Sequence, residues 1–205
     1  PDIMPIKVDK EYLKTPIIPF DAAEKAHIPV WITEISDVTP LDTSIQDGLK
    51  WAVTFHNYLT KANVNAIIWW GGAMPTSNNE SLIILNKNRK DYTLSKRYDI
   101  LGNYSRYISE GSTRIQVTQP KNKDLLVSAY KKNDKYILVA INLSEKTIST
   151  NIRLDGANIK GALKQFITNK DNRWNKTNIV PVSNKYYNLT IPQFSIVTLV
   201  GKVHL

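Results

Sequence analysis

The residues of this chain best suited to chemistry close two short apolar runs. His27-Ile28-Pro29-Val30-Trp31-Ile32-Thr33-Glu34 ends in a carboxylate, and Ala66-Ile67-Ile68-Trp69-Trp70 ends in paired indoles. A carboxylate at a strand end can attack as a nucleophile when ionised, or work as an acid or base when its proton is held. An indole face packs against the apolar face of a pyranose ring, so the two together suit chemistry on a sugar. Glu34 is the candidate catalytic residue, with Trp70 and Ser36 as candidate substrate-binding residues. A strand-end glutamate can equally be a solvated surface group, and Trp70 can equally pack in a core. Residue type and spacing leave both alternatives open. Trp69 alternates to the other side of its strand and is expected in a core. Trp31, three residues before Glu34, is expected to point away from it and to pack.

Both runs need an element that brings their ends together. Ile45, Leu49, Ala52, Val53 and Leu59 keep helical spacing between them, with Asp42 or Thr43 as the expected cap. Strands over 29–34 and 64–70 joined by this helix make a βαβ unit. Ala22 to Lys25 reads as the end of a helix leading into the first strand, and the first twenty or so residues as loop. Gly71 to Tyr92 is polar and without period, so it reads as a long loop. A second helix over 93–108 sets Leu94, Tyr98, Leu101, Ser105 and Ile108 along one face.

After Gly111 the texture changes. Arg114–Thr118, Leu125–Tyr130, Tyr136–Asn142, Ile148–Ile152, Ala162–Thr168, Tyr186–Ile191 and Ser195–Val200 are short strand-like runs. Turn residues such as Asn133-Asp134 and Asp155-Gly156 separate them. Such spacing argues an antiparallel β-sandwich. The expected domains are therefore 1–110 and 111–205.

Composition narrows the partners. The chain has 27 Lys and Arg against 18 Asp and Glu, a formal charge of +9. Lys87, Arg89, Lys90, Lys131, Lys132 and Lys135 are spread out, with no basic helix and no nucleic-acid-binding motif. They read as a solvated surface with weak attraction for an acidic polysaccharide, and no nucleic-acid partner is expected. Cysteine is absent, which excludes disulfides and thiolate metal sites. No apolar run approaches the roughly 20 residues of a membrane span, so no membrane partner is expected. Asp37, Asp42 and Asp47 have a spacing suggestive of a metal, but no Gly or terminal Glu completes a calcium loop. A turn and a helix cap account for them better, and neither metal nor cofactor is expected. His56 falls on the apolar stripe and reads as a core histidine. Tyr186, Tyr187 and Trp174 could take a glycan, although strand aromatics are usually core. Asn-x-Ser/Thr matches begin at Asn79, Asn103, Asn142, Asn175 and Asn188, and matter only in a host that glycosylates.

Trp31-Ile32-Thr33-Glu34, Ile68-Trp69-Trp70, Leu101-Gly102-Asn103-Tyr104-Ser105-Arg106-Tyr107-Ile108 and Arg114-Ile115, in that order, resemble glycoside hydrolase family 30. Within it the chain is most similar to the bacterial endo-xylanase, glucuronoxylanase-like subfamily, whose members end in strands similar to Ser195-Ile196-Val197-Thr198-Leu199-Val200. The resemblance runs from about residue 25 to the end. It implies an α/β plus all-β fold: the C-terminal part of a (β/α)₈ TIM barrel, followed by a β-sandwich side domain. Residues 29–34 become strand seven, 64–70 strand eight and 93–108 the closing helix. Glu34 then corresponds to the nucleophile of a retaining endo-β-1,4-xylanase. The family's acid/base glutamate lies upstream, outside this sequence.

A whole barrel needs roughly 250 residues. The chain is therefore expected to be a C-terminal piece, with the N-terminal part of the same enzyme as partner, either as a second chain or as a lost segment. The resemblance further implies xylan or a related β-linked polysaccharide as substrate and a secreted, extracellular setting. One departure bears on specificity. Glucuronoxylan-specific members follow the double tryptophan with a Tyr and an Arg that binds the glucuronate carboxylate. Here Trp70 is followed by Gly71-Gly72-Ala73-Met74-Pro75, with no Arg before Arg89. Strict dependence on glucuronate branches is not expected. Another β-glycosidase of the family, or a carbohydrate-binding or inactive fragment, remain the alternatives.

Overall fold

In the computed structural model the described residues are 17–88, 90–153, 155, 161–183 and 186–202. Most of the expected N-terminal loop, Arg89 and Gly156 lie outside them. The chain divides into two compact units between Asp99 and Ile100.

The first unit runs α1 (Asp21–Lys25), β1 (Trp31–Ile35), α2 (Ile45–Lys61), β2 (Ala66–Trp69), β3 (Ala73–Met74), β4 (Ile83–Leu85), β5 (Tyr92–Leu94) and the start of α3 (Lys96–Ser105). Helix α2 begins at Ser44, whose hydroxyl accepts the Asp47 N–H at 3.5 Å. The cap is thus neither Asp42 nor Thr43, the two expected; Asp42 instead accepts the Ser44 N–H at 2.8 Å and orders the turn before the helix. Ile45, Leu49, Ala52 and Val53 are buried as their spacing requires, joined by Trp51 and Phe55. Strands β1 and β2 pair in parallel, Trp31 with Ala66 and Ile32 with Ile67. With α2 between them they form the expected βαβ unit. Trp69 is buried, edge-on to Trp51 at 4.5 Å between ring centroids and to Phe55 at 6.4 Å.

The stretch 71–92, expected as plain loop, carries a small sheet instead. Strand β3 pairs in parallel with β4, and β4 pairs antiparallel with β5. Strands of two or three residues are too short to show a period. Helix α3 also departs from its expected pattern. Arg97, Asp99, Ile100, Gly102, Asn103 and Tyr104 are its buried residues, rather than the stripe through Leu94, Leu101 and Ser105. Polar side chains fill much of the inner side, which a hydrophobicity pattern assigns to solvent. Ser95 caps the helix, its hydroxyl accepting the Tyr98 N–H at 3.3 Å.

The second unit holds β6 (Thr113–Ile115), β7 (Leu125–Lys132), β8 (Lys135–Asn142), β9 (Ile148–Arg153), β10 (Leu163–Thr168), β11 (Asn175–Ile179), β12 (Pro181–Ser183), β13 (Tyr186–Ile191) and β14 (Ser195–Lys202). One sheet has the order β11-β10-β14-β8-β7-β6 and the other β12-β13-β9, with antiparallel pairing throughout. Leu125, Ala140, Leu163, Val197 and Leu199 from the first sheet share one apolar cluster with Tyr187, Leu189 and Ile191 from the second. In β13 these three alternate with exposed Tyr186, Asn188 and Thr190, as a half-buried strand requires. Strands β11 and β12 were not expected. Strand β11 is a mostly exposed polar edge, so no alternation announces it.

Residues 100–105 of α3 belong to this second unit and pack with its strands. The Asn103 amide donates to the Thr198 hydroxyl at 3.1 Å and accepts from Thr168 at 2.6 Å. Gly102 is required by Trp174: a Cβ there would lie 2.2 Å from the indole. The Arg106 guanidinium stacks on the same ring at 4.3 Å. Among the described residues, no helix is long and apolar enough to cross a membrane.

Candidate active site

Strands β1 and β2 end side by side, and a local irregularity sets what they present. Pairing passes from Ile32–Ile67 directly to Ile35–Trp69. Thr33 and Glu34 together therefore oppose the single residue Ile68, which is the two-against-one count of a β-bulge. Alternation breaks accordingly, and Thr33 and Glu34 are both exposed. Bulges re-aim side chains, recur at barrel rims and are rare between parallel strands.

Trp70 lies just past β2. Its backbone N–H donates to the Ile35 carbonyl at 3.1 Å, which fixes its backbone beside the residue between Glu34 and Ser36. Its side chain is 49 % exposed, and Ser36 is half-buried. The three candidate residues thus come to one end of one strand pair. Trp31 requires a correction. Period-two alternation sets it opposite Glu34 and in a core, yet it is 61 % exposed. Among the described residues strand β1 pairs with β2 alone, and the bulge invalidates the alternation argument across Thr33.

The segment after Trp70 is tightly held. Gly71 has φ +80°, and a Cβ there would sit 2.6 Å from the Glu80 carbonyl oxygen. That same oxygen accepts the Trp69 indole N–H at 2.7 Å. Leu82 and Ile83 N–H groups donate to Gly71 and Gly72 carbonyls, each at 3.0 Å.

The three spaced aspartates each have a local partner. Asp37 accepts from Lys50 Nζ at 2.5 Å and from the hydroxyl and N–H of Thr39. Burial alone pushes its carboxyl up, but these donors outweigh burial and hold it below the usual value. Asp42 orders the turn before α2. Asp47 pairs with Arg97 at 2.6 Å, and here burial prevails over the guanidinium and raises the carboxyl. Among the described residues no group of three His, Cys, Asp or Glu side chains is placed to hold a metal. His56 is buried on α2. Tyr187 is core and donates its hydroxyl to the Gly161 carbonyl at 3.0 Å, whereas Tyr186 is exposed beside Arg153.

Sequence reasoning missed Arg97 and Asn79, both buried next to this segment. One signal was available. A cation in the first turn of a helix opposes the macrodipole, so Arg97 two residues after the Ser95 cap needs a local reason.

No family model matches the chain. Over 180 residues it is 26% identical to glucuronoxylanase XynC of Bacillus subtilis (strain 168), covering 83% of this chain and 39% of that protein. The chain thus spans well under half the length of this curated relative. A family 30 subfamily 8 xylanase, Xyn30A from Clostridium acetobutylicum, superposes with a TM-score of 0.78 at 23% identity, over 92% of this chain and 46% of that one. A family 30 endoxylanase from Clostridium papyrosolvens C71 gives 0.73 at 23% identity, over 90% and 45%. The chain is similar to the C-terminal portion of family 30 glycoside hydrolase xylanases, and shares its fold with a little under half of each solved enzyme.

Proposed function

We propose that this chain is the C-terminal portion of a retaining endo-β-1,4-xylanase. Residues 1–110 supply the last two strands and helices of a (β/α)₈ barrel, and residues 111–205 a β-sandwich side domain. Glu34 is the nucleophile: its ionised carboxylate attacks the anomeric carbon from one face. The departing oxygen takes its proton from a second carboxyl about 5–5.5 Å away, contributed by the N-terminal part of the same enzyme. Trp70 forms a sugar-stacking floor and Ser36 bonds a sugar hydroxyl. The supporting observation is the bulge at Thr33–Glu34 with the Trp70 N–H bonded at 3.1 Å to Ile35. It brings the backbone of exposed Glu34 close to that of half-exposed Trp70 at the C-terminal ends of parallel strands, where barrel enzymes keep their chemistry.

The substrate is xylan, met outside the cell. No arginine follows Trp70 closely, so a bidentate partner for a glucuronate carboxylate is missing there. Linear and branched xylans are both substrates.

The test combines this chain with the N-terminal barrel segment of a family 30 xylanase and follows sugar release from linear xylan and glucuronoxylan. Glu34→Gln is expected to lower release about 10³-fold or more, and Glu34→Gly to recover part of it with azide as external nucleophile. Undiminished release by Glu34→Gln would remove Glu34 from the chemistry. Release from glucuronoxylan alone would overturn the branch tolerance. Retention of xylan without hydrolysis would favour a binding module.

A further inference from the structure

Arg97 takes no part in the proposed chemistry, yet it is wholly buried and touches both segments that extend from the candidate site. Its Nη1 donates to the Asp42 carbonyl at 2.5 Å, Asp47 Oδ2 at 2.6 Å and Asn79 Oδ1 at 2.8 Å. Its Nη2 donates to the Ser81 carbonyl at 3.1 Å. Asp42 and Asp47 belong to the path from β1 into α2, whereas Asn79 and Ser81 belong to the path that leaves Trp70. Asn79 joins the same two paths directly. Its N–H donates to the Thr39 carbonyl at 3.1 Å, its Nδ2 to the Thr39 hydroxyl at 3.0 Å, and its Oδ1 accepts the Asp42 N–H at 2.8 Å. Ser81 follows Glu80, whose carbonyl holds the Trp69 indole and abuts Gly71.

Burying an ion pair strips water from both charges before attraction offsets that penalty, and an apolar pair of equal volume packs without it. What apolar side chains cannot do is fix four acceptors from two separate segments around one plane. The guanidinium fork does this and a lysine does not. We propose that Arg97 is a positioning residue, which locks the β1–α2 and β2–β4 connections in the relation that keeps Trp70 beside the Glu34 bulge. Its effect on catalysis rests on the xylanase reading; its effect on the loops does not.

Two measurements on Arg97→Lys separate these. In the full chain, backbone amide exchange at Trp70, Asn79 and Leu82, whose N–H groups make the bonds in question, is expected to speed up about 10-fold or more. Amides inside α2 and β8 should keep their protection. In the reconstituted enzyme kcat is expected to fall roughly 10- to 100-fold, the scale of an ångström-level misplacement, with a smaller change in KM. Asp47→Asn keeps an acceptor and loses the charge, so it should accelerate the same three amides by less. Unchanged exchange in both variants, or a uniform loss of protection across the chain, would overturn the proposal. Should the wild-type enzyme leave xylan untouched, the function falls while the exchange pattern still decides the clamp.

Discussion

Gly71 offers a sharp test of how the segment after Trp70 is held. Its φ of +80° is one that side chains other than glycine rarely adopt, and a Cβ would lie 2.6 Å from the Glu80 carbonyl oxygen. Forcing an L-residue into left-handed backbone costs about 1–2 kcal/mol. The clash is with backbone, so relief must come from displacing that carbonyl. It is the acceptor of the Trp69 indole at 2.7 Å, and loss of a bond of this kind costs about 1 kcal/mol. Gly71→Ala is therefore expected to destabilise by about 2–3 kcal/mol, lowering Tm by roughly 5–10 °C for a chain of this size. Gly72→Ala is the control, because its Cβ would meet nothing within 4 Å and its φ is ordinary. That change should be neutral or stabilise by up to about 1 kcal/mol through the unfolded chain. Urea unfolding followed by tryptophan emission reads both, since Trp69 and Trp70 immediately precede the two glycines. Equal stability of the two variants would refute the argument from φ and the Glu80 contact together.

In the second unit, Gly102→Ala drives a Cβ into the Trp174 indole at 2.2 Å and is expected to cost about 1–3 kcal/mol. In the Trp174→Ala background the same change should cost almost nothing, and additive costs in the double-mutant cycle would refute the contact. The Asp37–Lys50 pair predicts a pH dependence. The folded carboxyl lies below its ordinary value of 3.8, so its stabilisation is complete above that value and is lost as pH falls through the folded pKa. Asp37→Asn should cost about 1 kcal/mol near neutrality, with the difference from wild type vanishing on acidification below pH 3.8. A difference that grows towards acid would reverse the sign and refute the assignment.

Regular periods were legible and local exceptions were not. Ile45, Leu49, Ala52 and Val53 announced α2 because that spacing gathers four apolar side chains on one side of a helix, whereas a strand would scatter them over both faces. The runs at β7, β8, β13 and β14 announced themselves because one face of each meets the shared cluster. The bulge at Thr33–Glu34 was invisible, since a register shift depends on the partner strand and leaves no mark in composition. Alternation across it therefore misplaced Trp31. In α3 the buried side includes Arg97, Asp99 and Asn103, and the partners of Arg97 and Asn103 lie far away in sequence, so polarity pointed the wrong way. Strands β3 to β5 and β11 escaped for a different reason, being too short or too exposed to carry a pattern. That the ends of the Glu34 and Trp70 strands lie together did follow from the sequence. A helix between two buried runs constrains them to be parallel.

The fate of the Asn-x-Ser/Thr sites has a practical consequence for where this protein can be made. Asn79, Asn103 and Asn142 are almost wholly enclosed. Asn103 is bonded to Thr168 and Thr198, and Asn142 donates to three backbone carbonyls. A eukaryotic secretory host modifies such asparagines while the chain is still emerging, before burial can protect them. An oligosaccharide attached there has no room inside the fold, and each occupied site removes a molecule from the productive population. Expression in a yeast or mammalian secretory system would thus yield heterogeneous, poorly folded material, unless Ser81, Ser105 and Ser144 are replaced by alanine. Of these, the buried Ser81 hydroxyl accepts the Met74 N–H and donates to the Ile83 carbonyl, and Ser144 carries hydrogen bonds in the turn after β8, which makes both harder to spare than Ser105.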